Sequence, residues 1–148
     1  MAGVSSDATM HDDARSPAQI LHLLVDGVSR LFAGDASQVD ALAALYAERT
    51  HVTHPMAHGR APLTSREELR RHFSENATKA RGMSIRAEDL VIHHTADPEV
   101  IVAEFSYRGS GPAGPLDVRC IFVMRARHGL IVESRDYIDH GGFARSAQ

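Results

Sequence analysis

Apolar positions recur every three or four residues in the first half of the chain and every second residue in the second half, so helices precede strands. Ser16-Pro17-Ala18-Gln19 supplies an N-cap, a proline at the first helical position and a glutamine able to reach back to the cap. Ile20, Leu21, Leu23, Leu24, Val28, Leu31 and Phe32 then form one apolar stripe, which Gly34-Asp35 ends. The spacing predicts a second, shorter helix over 38–47, with Val39, Leu42, Leu45 and Tyr46 inward. Thr64-Ser65-Arg66-Glu67 reads as a capping box that opens a third, with Leu69 and Phe73 on its buried side. From Met83 the pattern alternates through four segments, 83–95, 99–108, 116–127 and 130–139, and a short strand is predicted over 50–55.

Turn residues divide these strands. Asp97-Pro98 and His128-Gly129 fall where hairpin turns belong, and the stretch from Gly109 to Pro115 reads as a longer, flexible connection. Ile85 and Ala87 keep one phase while Leu90 and Ile92 keep the other, which implies a bulge near Glu88-Asp89. The segments exceed the usual five or six residues or so, and strands of such length bend. The expectation is an α+β fold, with three N-terminal helices on one face of a long, curved antiparallel sheet. Residues 1–15 hold too few apolar side chains to offset ordering entropy and are expected to be a disordered leader. Residues 16–143 then form a single domain, with 144–148 as a tail.

Alternation also assigns faces. Ile101, Ala103, Phe105 and Tyr107 share one face, as do Val118, Cys120, Phe122, Met124 and Ala126 on the next strand. On the last strand Leu130, Val132, Ser134, Asp136 and Ile138 point one way, so Asp136 is a carboxylate among inward apolar residues. Thr50, Val52 and His54 share a face, which brings an imidazole inward as well. A buried carboxylate and imidazole are the components of general acid–base chemistry. Each alone is equally at home as a satisfied structural group; the pair carries the functional reading. Asp136 is expected to orient His54, and its charge to raise the histidine's pKa.

Composition narrows the rest. Sixteen Lys+Arg against nineteen Asp+Glu leave a formal net charge of −3, without the basic excess that nucleic acid demands. The single cysteine excludes an intrachain disulfide and fits a reducing cytoplasm. No apolar run approaches the ~18 residues of a membrane span. Ten histidines raise the question of a metal, but among His51, His54 and His58 neighbours three apart on a strand face opposite ways, and no metal or organic cofactor is expected. Ile121, Val123, Ile131 and Tyr137 are apolar yet lie on the outer sheet face, interleaved with Arg119, Arg125, Glu133 and Arg135, which predicts a homodimer through that face.

Several short segments, in order, carry a family likeness. Leu31-Phe32-Ala33-Gly34-Asp35, Ala44-Leu45-Tyr46-Ala47-Glu48, Val52-Thr53-His54-Pro55, Ser65-Arg66-Glu67-Glu68-Leu69, Gly129-Leu130-Ile131-Val132 and Arg135-Asp136-Tyr137-Ile138-Asp139 resemble the nuclear transport factor 2-like superfamily, in its SnoaL-like and ketosteroid isomerase-like branch. The likeness spans 17–143 and implies a cone-shaped sheet closed by three N-terminal helices, with a pocket between them in which His54 and Asp136 approach each other. Val52, Ala103, Phe105, Tyr107, Cys120, Phe122, Met124, Ser134 and Ile138 would line that pocket, with His72 on the third helix as a further candidate. It places His54 where ketosteroid isomerases carry their catalytic aspartate, Cys120 at their protonated aspartate and Gly27 near their oxyanion-hole tyrosine, so both of those donors are missing. Asp136 matches the acid–base aspartate of SnoaL-like polyketide cyclases. It also matches the last-strand aspartate of limonene epoxide hydrolases, whose Arg and second Asp are replaced by Ala103 and Phe105. The resemblance implies cofactor-independent acid–base chemistry of cyclase, isomerase or hydrolase type on a small apolar or amphipathic molecule. Its alternative is a non-catalytic ligand-binding or dimerisation module of the same fold.

Overall fold

The computed structural model describes residues 14–80 and 82–147, with side chains to Phe143. The predicted leader therefore lies outside the described residues except for Ala14 and Arg15, which meet the turn at Gly129: a β-carbon there would stand 3.3 Å from Arg15 N. Helix α1 (Pro17–Phe32) starts as its sequence predicts. Ser16 Oγ accepts from the Gln19 N–H at 3.2 Å and the Gln19 side chain accepts from the Ser16 N–H at 2.8 Å. Its stripe buries Ile20, Leu21, Leu24, Val25 and Leu31, whereas Leu23, expected in the stripe, stays exposed. Helix α2 (Gln38–Ala43) crosses α1 at Gly27, where a β-carbon would come within 2.6 Å of Leu42 Cδ2, so glycine sets the approach of the two helices.

α2 is shorter than the predicted 38–47 because the sheet claims the residues that follow. The Ile131 N–H donates to Leu45 O at 2.8 Å, and Tyr46, expected on the helix, opens strand β1 (Tyr46–Thr53) beside Ile131. β2 (Leu63–Ser65) leads into helix α3 (Arg66–Lys79), whose cap sits one residue later than predicted. Ser65 Oγ accepts from the Glu68 N–H at 3.1 Å, and the Glu68 carboxylate accepts from the Thr64 N–H at 2.5 Å. Leu69 and Phe73 face the core, as expected.

Strands β3 (Ser84–His94), β4 (Val100–Gly111), β5 (Gly114–Arg127) and β6 (Leu130–Ile138) complete one six-stranded sheet in the order β2-β1-β6-β5-β4-β3. β1 and β6 are parallel and every other pair is antiparallel. The sheet is curled without closing into a barrel, the α+β architecture that the alternation predicts and the family resemblance implies. The β3 bulge falls between Glu88 and Val91, with Asp89 at φ 56°. The glycine- and proline-rich 109–115 is not a flexible connection: Gly109 pairs with Leu116 and Gly111 with Gly114, leaving Pro112-Ala113 as a two-residue turn. Gly109 lies so close to β3 that a β-carbon would fall 1.8 Å from Ser84 O.

Two further expectations are corrected. On β6, Arg125 pairs with Glu133 but Ala126 with Ile131, so an extra residue at Val132 shifts the phase and turns Ile131 fully into the core rather than onto the outer face. The tail does not begin at 144: a fourth helix, α4 (His140–Ala147), follows β6, with only Gln148 of that stretch outside the described residues. Among the described residues no helix is long and apolar enough to cross a membrane.

Candidate active site

β1 ends at Thr53, and His54 is the next inward position after Thr50 and Val52, buried to 7% exposure. The chain turns at once, with the Ala57 N–H donating to His54 O at 2.9 Å, and the following loop brings Arg60 back over the third helix. Asp136 projects from β6 and is 6% exposed. Because β1 and β6 are parallel neighbours, with Val52 beside Ser134, His54 and Asp136 stand at the same level of the sheet. His54 Nε2 is 3.9 Å from Asp136 Oδ2, an electrostatic contact beyond hydrogen-bond range. Asp136 Oδ1 instead accepts from Ser134 Oγ at 2.5 Å.

Two neighbouring spaces with shared lining residues lie beside His54. An inner chamber of about 80 Å³ is lined by Leu24, Tyr46, Val52, His54, Phe73, Tyr107, Phe122, Asp136 and Ile138, among others. An outer vestibule of about 260 Å³ shares His54, His72, Asn76, Ile138, Phe32 and Phe143 with it and adds Arg60, Lys79 and His140. The His54 ring lies 5.3 Å from that of His72 and 6.1 Å from that of His140, centroid to centroid. Arg60 Nη2 donates to His72 Nδ1 at 2.7 Å. A guanidinium can only donate, so His72 Nδ1 is the acceptor, and the Asn76 amide nitrogen stands 3.1 Å from His72 Nε2.

Burial decides the protonation states. Desolvation lifts the Asp136 carboxyl from 3.8 to about 7, against the opposing Ser134 hydrogen bond. Desolvation, then the Arg60 charge, lowers His54 from 6.5 to about 3; the same two causes lower His72 to about 4. The expectation that Asp136 would raise the His54 pKa is therefore overturned: removal from water outweighs the carboxylate, and Arg60 adds to it. At neutral pH the imidazole is uncharged, and the carboxyl holds a proton far more readily than an exposed aspartate does. Tyr46 and Tyr107 stay protonated, their phenols raised well above 10 by burial first and by the Asp136 charge among the lesser causes.

Residues 24–134 match the SnoaL-like domain family. The chain belongs to that family. No curated protein matches it in sequence. Among solved structures, a protein of Pseudomonas putida KT2440 named as a candidate polyketide cyclase aligns over 91% of this chain and 100% of its own, with 14% identity and a TM-score of 0.68. A Catenulispora acidiphila protein of ketosteroid isomerase-like fold, solved with trimethylamine, covers 89% of this chain and 94% of its own at 17% identity and 0.67. The epoxide hydrolase/cyclase-like enzyme SalBIII, which has a role in pyran ring formation in the polyether salinomycin, covers 84% and 94% at 14% and 0.56. At these identities the likeness is one of fold.

Within this SnoaL-like fold the expected site residues separate into two groups. Val52, His54, His72, Tyr107, Phe122, Asp136 and Ile138 line the chamber, and Ser134 reaches it through Asp136. Ala103, Phe105, Cys120 and Met124 are buried but outside its lining. Alternation fixes the face of a strand but not the level along it, and only at one level does empty space rather than a helix stand opposite. Phe105 packs edge-on against both Tyr107 and Phe122, with ring centroids 5.1 Å away in each case. The Cys120 thiol is raised by burial and directed at Val118 O, 3.8 Å away. His51 and His58 are exposed while His54 is buried, so these three histidines do not converge. Sequence reasoning missed Tyr46, Arg60, Asn76 and His140. Tyr46 was hidden by its apparent helical spacing, and His140 by the absence of any stripe announcing α4.

Proposed function

We propose that this SnoaL-like protein is a cofactor-independent acid–base catalyst, of cyclase, isomerase or hydrolase type, acting on a small and largely apolar molecule in the inner chamber. The observation that carries this reading is a carboxyl held near neutrality by burial, facing an open apolar space, 3.9 Å from an uncharged imidazole. A group with a pKa of about 7 both gives and takes a proton at working pH, which is the condition for efficient proton transfer. Asp136 carries the proton. His54, uncharged, faces it with Nε2 and lines the same chamber, where its ring can exchange a proton with the substrate. The phenols of Tyr46 and Tyr107 line the same chamber as O–H donors for a developing oxyanion, supplying hydrogen bonds that neither Gly27 nor Cys120 can. The cyclase and epoxide hydrolase/cyclase-like names of the structural relatives support the same class of chemistry. A chamber packed shut by Phe105, Phe122 and Met124 would favour a non-catalytic module; Phe122 does line it, but Phe105 and Met124 stand outside and space remains beside both catalytic candidates.

Two probes test this. Deuterium exchange at the α-carbon of cyclopentanone and hydrolysis of cyclohexene oxide are measured for the wild type and for Asp136→Asn. At least one is expected to run about 100-fold faster with the wild type, the scale of a positioned acid or base. Equal rates for the two proteins with both compounds would refute the reading.

A further inference from the structure

The inner chamber, at about 80 Å³, takes only a small apolar group, so a larger molecule must extend past His54 into the vestibule. The vestibule differs from the chamber in chemistry. Its lining includes Arg60, Lys79, His72 and His140 and, among the described residues, no Asp or Glu. His72 and His140 are lowered by burial, so the charge of this space comes from Arg60 and Lys79.

Half of the described cations on this surface are neutralised by a carboxylate, and these two belong to the other half. Arg70, Arg86, Arg108, Arg125 and Arg127 each meet a carboxylate within 4 Å. Arg60 makes no ion pair among the described residues and binds only His72, leaving guanidinium N–H groups over. Glu68 and Glu75 share a neighbouring surface groove with Arg60, but the Glu68 carboxylate is engaged by Thr64 and neither acid pairs with Arg60. A second observation points the same way. His54 Nδ1 and His140 Nε2 are buried polar atoms on the vestibule with no hydrogen-bond partner, and the His54 side chain is only 4% exposed. Buried ring nitrogens with no partner beside cations with no carboxylate suit a hydrogen-bond acceptor that carries negative charge.

We infer that the molecule bound here is amphipathic with one anionic group of carboxylate size, seated between Arg60 and Lys79 while its apolar end enters the chamber. The inference rests on the proposed function, whose substrate class it names. Orientation follows from charge: an anion placed inward would meet Asp136 among apolar walls, whereas in the vestibule it meets cations and spare donors.

Hexanoate, hexan-1-ol and hexylamine share a chain and differ only in the head, and their affinities are read from histidine side-chain NMR shifts. Hexanoate is expected to bind about tenfold more tightly than hexan-1-ol, and hexylamine more weakly than either. Arg60→Gln/Lys79→Gln should erase the difference between acid and alcohol, and Arg60→Glu/Lys79→Glu should favour the amine. Both side chains are exposed, and unchanged melting temperatures verify that the variants fold. In the wild type itself, raising NaCl from about 20 to about 500 mM should weaken hexanoate several-fold and leave hexan-1-ol unaffected. Alcohol or amine binding as tightly as the acid, absence of hexanoate binding at about 10 mM, or a preference indifferent to both salt and charge reversal would each overturn the inference. Asp136→Asn should keep the preference for acid, because Asp136 is outside the vestibule; the proton-transfer reading fails or stands separately, on the exchange and hydrolysis rates.

Discussion

Replacing Asp136 with asparagine should change how the stability of this protein depends on pH, with a sign that separates two pictures of the site. The folded carboxyl titrates at about 7 and its reference value is 3.8, so between these values the native state holds a proton that the unfolded chain has lost. Stability contributed by the neutral acid is complete below about 3.8 and is lost as pH rises through about 7. The difference of about three pH units corresponds to about 4 kcal/mol at ~1.4 kcal/mol per unit, an upper figure because a real interior relaxes around the charge. His54 and His72, lowered to about 3 and about 4, act in the opposite sense: their contribution is present above 6.5 and lost as pH falls through the folded values. Wild-type stability alone would therefore mix opposing slopes, and the comparison with Asp136→Asn removes the histidines from the difference. Urea unfolding of both proteins from pH 4 to pH 8 should show the variant gaining up to about 4 kcal/mol relative to wild type across that range, a midpoint shift of about 2 M at an m-value of ~2 kcal/mol/M. If the pair were instead an ion pair, with Asp136 lowered and His54 raised, the variant would lose ground toward neutral pH. A relative loss, or a flat difference, refutes the assignment of a buried neutral acid.

Three other outcomes follow from the packing. Gly109→Ala should cost about 3 kcal/mol or more in thermal unfolding, since its β-carbon would collide with Ser84 O at 1.8 Å and force β3 from β4. Ser65→Ala removes the acceptor for the Glu68 N–H and should cost about 1 kcal/mol, with activity intact, by denaturant titration. If two copies meet through the outer sheet face, where Ile121 is 42% exposed, sedimentation at micromolar concentration should give twice the 16.1 kDa chain mass and Ile121→Asp should halve it; a wild-type mass of 16.1 kDa defeats the dimer.

Local chemistry was legible where the chain decides alone. The Ser16 and Gln19 cap, the α1 stripe, the alternation of β4 and β5 and the inward phase of His54 and Asp136 are consequences of periods of 3.6 and 2, written residue by residue. Where two segments compete for the same backbone, the sequence had no deciding vote. Tyr46 continues a helical spacing, yet pairing with Ile131 took it into β1, and the extra residue at Val132 reversed the face of Ile131 through a register set by β5.

The chemical environment of the site belongs to the tertiary structure for the same reason. Each group's charge state depends on how much water the rest of the fold removes and on which neighbours arrive from distant positions. Sequence placed a carboxylate and an imidazole on inward faces and suggested that the first would charge the second. Folding put Asp136 out of water beside Ser134, brought Arg60 over His72 from a loop and His140 from an unannounced helix, and left 3.9 Å between the two catalytic candidates. Desolvation grows with burial from every side at once, a property of the assembled volume and not of any segment, so the neutral forms of both His54 and Asp136 are favoured only when the sheet and helices close around them.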